Sequence, residues 1–524
     1  MRHNKVTILF ISMLALLFSA CHKDLDRLPP NTLTSNDVFA TEAGYFGLLA
    51  KAYSSQALTG SNGPGSSDIA GIDAGTADFL RLYWKAQELS TDEAVVAWND
   101  PGIQDFHNMN WSASNPMLTG LFARNVYVIS ICNEFLREST TDKLNARGLG
   151  SSAAAINRMR AEVRFIRAYQ YWVLLDLFGN PPFATENDPI GKYFPPQTNR
   201  AELFAYIETE LKAIDADLAA PRTNDYGRAD KAAAWALLAR LYLNAEVYTG
   251  TQKNTDAVTY SKRVIDAGFS LLPNYRHLML ADNNENNPEF IFTLNYDGIS
   301  TQNFGATTFL VNGSVGGDLD RNVSGLGGWG GIRTTKRLPE LFPDFNGTGD
   351  KRAQFVVGTQ NLEINNISEF KDGLAVIKYR NRTRSGGFGK DPARMFADID
   401  FPVFRLGEMY LIYAEAVKRG GAGGTETQAL VYLNTLRSRA QVTAAPLGFY
   451  TLDFIIDERG RELHWEALRR TDLIRFNRFV ESTYLWPWKG GVKDGAGVPA
   501  FRKLYPIPTR ELATNPNLKQ NPGY

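Results

Sequence analysis

Two stretches, 165–245 and 405–475, constrain the fold of this chain more than any other part of it. In both, Ala and Leu alternate with large aromatics at intervals of three and four, as in Arg167-Ala-Tyr-Gln-Tyr-Trp172 and Lys231-Ala-Ala-Ala-Trp-Ala-Leu-Leu-Ala-Arg240. That spacing predicts helices with one apolar face: Tyr169, Trp172 and Leu175 on the first, Trp235, Leu238 and Tyr242 on another. Small residues beside large ones let paired helices approach closely while the rings fill the gaps. Gly179-Asn-Pro-Pro182 ends the first helix, and further helices begin near Glu202 and after Asp230. Short successive helices of this kind suggest a tetratricopeptide-like right-handed stack. The repeats are not clean copies, so an irregular helical domain fits the same pattern. The fold class is mainly α: an irregular bundle of such helix pairs, with loop-rich inserts and a few short strands.

The first residues are basic (Arg2, Lys5), and an apolar run from Val6 to Phe18 follows, interrupted by Thr7 and Ser12. A basic start, a short apolar run and small residues before a break form a secretory signal, too short to span a bilayer comfortably. Leu17-Phe-Ser-Ala-Cys21 has the form of a lipobox, which predicts cleavage after residue 20 and acylation of Cys21. A multi-acyl anchor is enough for stable membrane attachment. Without residues 1–20 the chain carries 54 basic and 56 acidic side chains, so bulk charge attracts neither nucleic acid nor acidic lipid. With Cys21 acylated, Cys132 has no disulfide partner and reads as a small buried hydrophobe.

The organisation that follows is a leader over 1–20, a lipidated tether over 21–40 and a single domain over 41–524. Its helical scaffold occupies mainly 118–272 and 401–480. Helices are expected over 42–52, 118–136, 152–178, 198–218, 231–248, 256–267, 405–416, 427–440 and 451–476. A strand is expected over 289–296 and a hairpin within 363–379. The Gly- and Ser-rich run at 59–67 opens a polar, loop-rich region, 59–117, and the insert 273–400 is less regular than the helices flanking it. Contacts with a ligand belong on such segments, with the helices as rigid support.

Few chemical motifs withstand scrutiny. Gly325-Leu-Gly-Gly-Trp-Gly330 matches a dinucleotide loop in letters, but Asp320-Arg-Asn-Val-Ser324 before it is no apolar strand. Asp282-Asn-Asn-Glu-Asn-Asn287 has alternating oxygen ligands, but Asn287 stands where an EF-hand needs glycine and Thr293 where it needs glutamate. It is either a polar turn or a structural calcium site outside that motif. No His-x-x-x-His or Cys-x-x-Cys pair is present, so no zinc site is expected, and no cofactor is expected either. Asp92/Glu93 and Glu462/Glu466 are the carboxylate pairs available for glycoside cleavage. Glu462 and Glu466 lie one helical turn apart beside Arg461, Arg469 and Arg470, the pattern of a structural salt network. Aromatics are the stronger lead. Trp98, Tyr296 and Trp329 sit in or beside irregular polar segments, where rings can stack on the C–H faces of sugars. Asp73, Arg81 and Asn99 are candidates to bond the hydroxyls, whereas Trp84 and Trp111 look like core residues.

Several longer motifs resemble the SusD/RagB family of Bacteroidota outer-membrane lipoproteins. They include Arg164-Phe-Ile-Arg-Ala-Tyr169, Asp176-Leu-Phe-Gly-Asn-Pro-Pro182 and Arg405-Leu-Gly-Glu-Met-Tyr-Leu-Ile-Tyr-Ala-Glu-Ala416. The run from Asp457 through Glu462, His464 and Glu466 to Arg475 and the ending Gln520-Asn-Pro-Gly-Tyr524 belong with them. The resemblance spans essentially the whole chain. It implies four tetratricopeptide-like helix pairs in a surface-exposed, non-enzymatic glycan-binding protein that serves as a lid on a TonB-dependent outer-membrane transporter. It further implies attachment to the outer membrane through lipid on Cys21, facing the exterior. The stretch from Leu89 to Gly102, which contains Trp98-Asn-Asp-Pro101, is similar to that of the family's starch-binding founding member. The resemblance thus makes Trp98, Tyr296 and Trp329 an aromatic arc for malto-oligosaccharide, with Asp73, Arg81 and Asn99 as polar partners.

Three classes of function compete at this point. A glycan-binding transporter subunit needs exposed rings on one surface. A glycoside hydrolase needs two facing carboxylates roughly 5–9 Å apart. A lid that captures peptides needs a groove and no continuous aromatic platform.

Overall fold

The computed structural model describes residues 34–524. The expected leader, Cys21 and most of the expected tether lie outside the described residues. We number the helices of seven or more residues and the strands in chain order. They are α1 Glu42–Ala57, α2 Phe79–Glu88, β1 Val95–Val96, α3 Pro116–Glu138, α4 Ala153–Leu177, α5 Arg200–Ala213, α6 Lys231–Leu243 and α7 Asn254–Ile265. The second half holds β2 Phe290–Leu294, α8 Ala306–Ser314, β3 Ile332–Arg333, β4 Phe401–Arg405, α9 Leu406–Lys418, α10 Glu426–Arg439, α11 Leu452–Leu463 and α12 Arg469–Arg475.

Successive helices pack as pairs, α3 on α4, α6 on α7 and α9 on α10, while α7 against α9 joins the two helical stretches of the sequence. The apolar faces behave as their spacing predicts. Tyr169, Trp172 and Leu175 are buried, and the rings of Tyr169 and Trp172 stack 5.9 Å apart. Arg240 of α6 lies 5.2 Å from the Trp172 ring and donates to both carboxylate oxygens of Glu408 on α9, at 2.8 and 2.7 Å. A bidentate pair of this kind fixes orientation as well as distance between two helices. Cys132 is buried on α3, and burial pushes its thiol up to about 12. Among the described residues no helix is long and apolar enough to cross a membrane.

Strands are few, as expected. β2 pairs antiparallel with β4, and β1 with β3 in the register Val95 opposite Arg333 and Val96 opposite Ile332. The secondary structure departs from sequence expectation most in three places. The helix expected over 231–248 breaks at Asn244, whose side chain donates to the Arg240 carbonyl. The helix expected over 451–476 splits into α11 and α12, because Trp465 and Ala467 take left-handed backbone angles of 63° and 60°. Two buried acids from elsewhere hold that break open: Glu93 accepts the Trp465 N–H at 2.9 Å and Glu88 the Leu468 N–H at 3.2 Å. The hairpin expected within 363–379 does not form. Isolated bridges, Thr334 to Leu374 and Phe355 to Val376, tie that segment to distant parts of the chain instead.

The carboxylates weighed for catalysis are spent on structure. Arg405 donates to Glu289 at 2.8 Å, to Glu462 at 2.7 Å and to both oxygens of Glu466 at 2.7 and 2.8 Å, all in the core. Asp92 takes both arms of Arg469 at 2.7 and 2.6 Å.

Candidate binding site

The site grows from Asp78. This buried residue caps α2, accepting the Arg81 N–H at 2.6 Å, and the same oxygen accepts the N–H of Ala306 at the start of α8 at 2.9 Å. Two helix N-termini therefore converge on one carboxylate, which their positive ends stabilise. An added Cβ at Gly305 would lie 2.2 Å from the Asp78 carboxyl carbon, so only glycine permits this approach. The consequence is that α2 and α8 lie side by side, bringing Arg81, Lys85 and Phe309 together. The Arg81 guanidinium sits 4.8 Å from the Phe309 ring centre and the Lys85 ammonium 5.3 Å. Burial draws Arg81 below its ordinary value, while Asp78, Asp100 and Asp73 act against it. Lys85 is buried, its ammonium 3.5 Å from the Met117 sulfur. Burial and the Arg81 charge hold it well below the usual lysine range.

Trp98 follows β1, so the β1–β3 pairing sets its place. The pairing continues through the Ala97 N–H to the Gly331 carbonyl at 2.8 Å. Gly331 in turn donates to the Gly313 carbonyl at the end of α8 at 2.9 Å, and the Trp329 N–H to the Asn312 carbonyl at 2.6 Å. The glycine-rich run that mimics a dinucleotide loop is thus the ribbon that lays Trp329 beside Trp98. Their ring centres are 6.4 Å apart with planes inclined at 51°, and Trp98 rests on Phe309 at 6.0 Å. Trp329 is 40% exposed and Trp98 half-buried. Together they make a bent platform. Asn99 and Asp100 are exposed next to Trp98 in the chain. Asp73 is exposed and caps a short 3-10 turn, accepting the Gly75 N–H at 2.7 Å.

Tyr296 does not share this exposure. It leaves β2 with its N–H donated to Asp400 at 2.7 Å and is only 7% exposed, and its hydroxyl has no partner among the described residues. Of the three rings expected on one surface, the structure pairs Trp98 with Trp329 and buries Tyr296. Trp84 and Trp111 are core residues, as expected. Sequence reasoning missed Phe309 and the capping role of Asp78. The apolar run Phe309-Leu-Val311 between Gly305 and Gly313, and an acid directly before the apolar face of α2, were the available signals.

The segment considered for calcium is a turn whose polar groups bond within the protein. Asp282 accepts the Arg384 N–H at 3.0 Å, and Asn283 donates to the carbonyls of Leu278 and Asp400 at 2.9 and 2.8 Å. Among the described residues no three His, Cys, Asp or Glu side chains are grouped as a metal site.

The model of the SusD family matches residues 375–524. The starch-binding protein SusD of Bacteroides thetaiotaomicron is 34% identical over 98% of this chain and 97% of its own length. A SusD-like protein of Bacteroides ovatus is 24% identical over 92% of this chain and 84% of its own. Among solved structures, surface glycan-binding protein A of Bacteroides thetaiotaomicron in complex with laminarihexaose superposes with a TM-score of 0.70. It is 20% identical and covers 92% of this chain and 99% of that one. A SusD superfamily protein of Parabacteroides distasonis, 22% identical, reaches a TM-score of 0.71 over 94% of this chain and 100% of that one. With one relative this similar across nearly the whole of both sequences, the chain belongs to the SusD family.

Proposed function

We propose that this protein captures starch and malto-oligosaccharides at the cell surface without acting on them. It passes them to a TonB-dependent outer-membrane transporter and is held to the outer membrane by lipid on Cys21. The observation that carries the reading is the inclined pair Trp98 and Trp329. Two rings at 51° offer successive apolar faces to a chain that curves, as an α-glucan does, whereas a flat ribbon would meet only one. In this reading Arg81, which packs on the Phe309 ring under Trp98, Asn99 beside Trp98 in the chain, and Asp73, whose charge acts on Arg81, bond the sugar hydroxyls. The 34% identical relative is itself a starch-binding protein. Burial of Asp92, Glu93, Glu462 and Glu466 supports a non-catalytic role, because none of these carboxylates reaches solvent to protonate or attack a glycoside.

Affinity electrophoresis in gels containing amylopectin or laminarin tests the reading. Amylopectin should retard the wild type. Trp98→Ala and Trp329→Ala should each weaken retention at least about tenfold, as expected of aromatic anchors that dominate binding. Retardation by laminarin alone would move the proposal to a β-glucan. Retention unchanged in both variants would remove this platform as the site.

A further inference from the structure

A cavity of about 430 Å³ lies next to the segment that leads into the Trp329 ribbon. It is within the roughly 300–1,000 Å³ range of small-ligand sites. Arg276, Arg380, Arg382 and Arg384 line it, with His277 and Asn322 at its wall. Three of these arginines come from one short run, Arg380-Asn-Arg-Thr-Arg384, which enters a turn at Arg384. Its backbone is pinned to the preceding turn: the Arg380 N–H donates to the Met279 carbonyl at 3.0 Å, and the Ala281 N–H to the Arg382 carbonyl at 2.9 Å. The cluster is built, not a chance gathering of mobile side chains.

No ion pair compensates its charge among the described residues. Arg405, Arg352 and Arg469 in the core are each bound to carboxylates. Among the described residues, none of the four arginines at the cavity has an acidic ion-pair partner. The one acid that touches the run, Asp282, accepts a backbone N–H from Arg384. Four of the buried donors are also unused. Nε and Nη2 of Arg384, Nε of Arg276 and Nε of Arg380 have no partner among the described residues. What bonds the group does make go to carbonyls, Arg276 to Asn346 at 3.0 Å and Arg380 to Arg276 at 3.3 Å. Burial, then the charges of Arg276 and Arg382, pull the Arg380 guanidinium down to about 10. Burial and Arg384 likewise lower His277. Packing like charges together with idle donors is unfavourable unless an anion arrives to take them.

We infer that this cavity binds a tetrahedral oxyanion, a phosphate or sulfate group, free or carried on a sugar. Planar guanidinium forks match such oxygens two at a time, and several converging forks can surround one group. Nothing in this inference depends on starch being the ligand of the tryptophan platform.

Isothermal titration of the full chain at low salt, with sodium phosphate, sodium sulfate, glucose 6-phosphate and glucose, tests it. The oxyanions should bind and glucose should not. Tighter binding of glucose 6-phosphate than of phosphate identifies a sugar-borne group, and equal binding identifies the free ion. The double variant Arg380→Gln/Arg384→Gln should lose at least about tenfold in affinity. Asn322→Glu, an exposed change that leaves every arginine in place, should weaken binding in the same direction. Trp98→Ala should leave it unchanged. Absence of binding by all three oxyanions, or equal affinity in wild type and both charge variants, would overturn the proposal.

Discussion

At the scale of single residues, the platform depends on what is missing beside Trp98. A Cβ built on Gly331 would lie 2.1 Å from Cε2 of the Trp98 ring and 2.4 Å from its nitrogen, far inside contact distance. Gly331→Ala must therefore shift either the indole or the ribbon carrying Trp329, and either shift spoils the 51° pairing. We expect amylopectin retention to fall about as far as in Trp98→Ala, at a cost in stability of about 1–3 kcal/mol for overpacking. Gly47→Ala on α1 is the control, since an added Cβ there meets nothing within 4 Å and binding should not change. Retention that survives Gly331→Ala would mean that the ring pairing is not what holds the glycan.

At the scale of elements, the buried ionic network decides how the helices and strands meet. Arg405 closes β4, Glu289 directly precedes β2, Glu462 lies on α11, Arg439 on α10 and Arg352 in the insert. Burial alone would raise the Glu462 carboxyl, but Arg439, Arg405 and Arg352 outweigh it and hold it well below the usual carboxylate range. Glu462→Gln removes a carboxylate that all three guanidiniums share, leaving Arg405 to Glu289 and Glu466, Arg439 to Glu289, and Arg352 to Asp350 and Glu458. Breaking a buried pair typically costs about 3–5 kcal/mol, and these remaining partners set that as the upper figure here. The variant should show a loss up to that figure in urea unfolding while amylopectin retention at low temperature stays intact. Loss of retention in a folded variant would tie the network to the site. The helices were legible in the sequence because they follow local spacing, as from Tyr169 to Trp172. Of the network only the structural use of Glu462 and Glu466 was legible. The expected partners beside them bond elsewhere, Arg461 to Glu458, Arg469 to Asp92 and Arg470 to the Lys503 carbonyl, and Arg405, far off in the chain, takes both acids. The split at Trp465 was not legible, because Glu93 and Glu88, hundreds of residues earlier in the chain, accept the N–H groups that the break releases. The same limit applies to the site. Trp98 and Trp329 announced themselves as aromatics in polar loops. Burial of Tyr296 depends on β2 meeting β4 and on Asp400, and no local pattern near residue 296 encodes that meeting.

At the scale of the whole molecule, Asp400 joins parts of the chain that share no neighbourhood in sequence. Its carboxylate accepts the Tyr296 N–H and the Tyr226 hydroxyl, both at 2.7 Å. Its backbone N–H donates to Asn283 at 3.0 Å, and its carbonyl accepts the Asn283 amide at 2.8 Å. Burial raises its carboxyl from 3.8 to about 7, against the two bonds that favour the charged form. As pH rises from 3.8 toward 7, the unfolded chain releases this proton while the folded chain retains it. The folded state then binds more protons than the unfolded one, so stability falls across that window and levels off above it. Glu458 acts in the opposite sense. Burial pushes it up, Arg352, Arg461 and Arg437 outweigh burial, and its carboxyl falls from 4.5 to about 2, so its contribution is present above 4.5 and lost toward 2. The acid limb of the stability profile therefore belongs to groups like Glu458, and Asp400 contributes to the decline toward neutrality. Asp400→Asn keeps an acceptor for Tyr296 and cannot titrate. Urea unfolding of this variant between pH 4 and 8 should flatten the neutral-side decline by an amount on the order of a few kcal/mol and leave the acid limb in place. Profiles that run parallel in wild type and variant would show that Asp400 stays charged in the folded protein, making the pair of bonds from Tyr226 and Tyr296 strong enough to overcome burial.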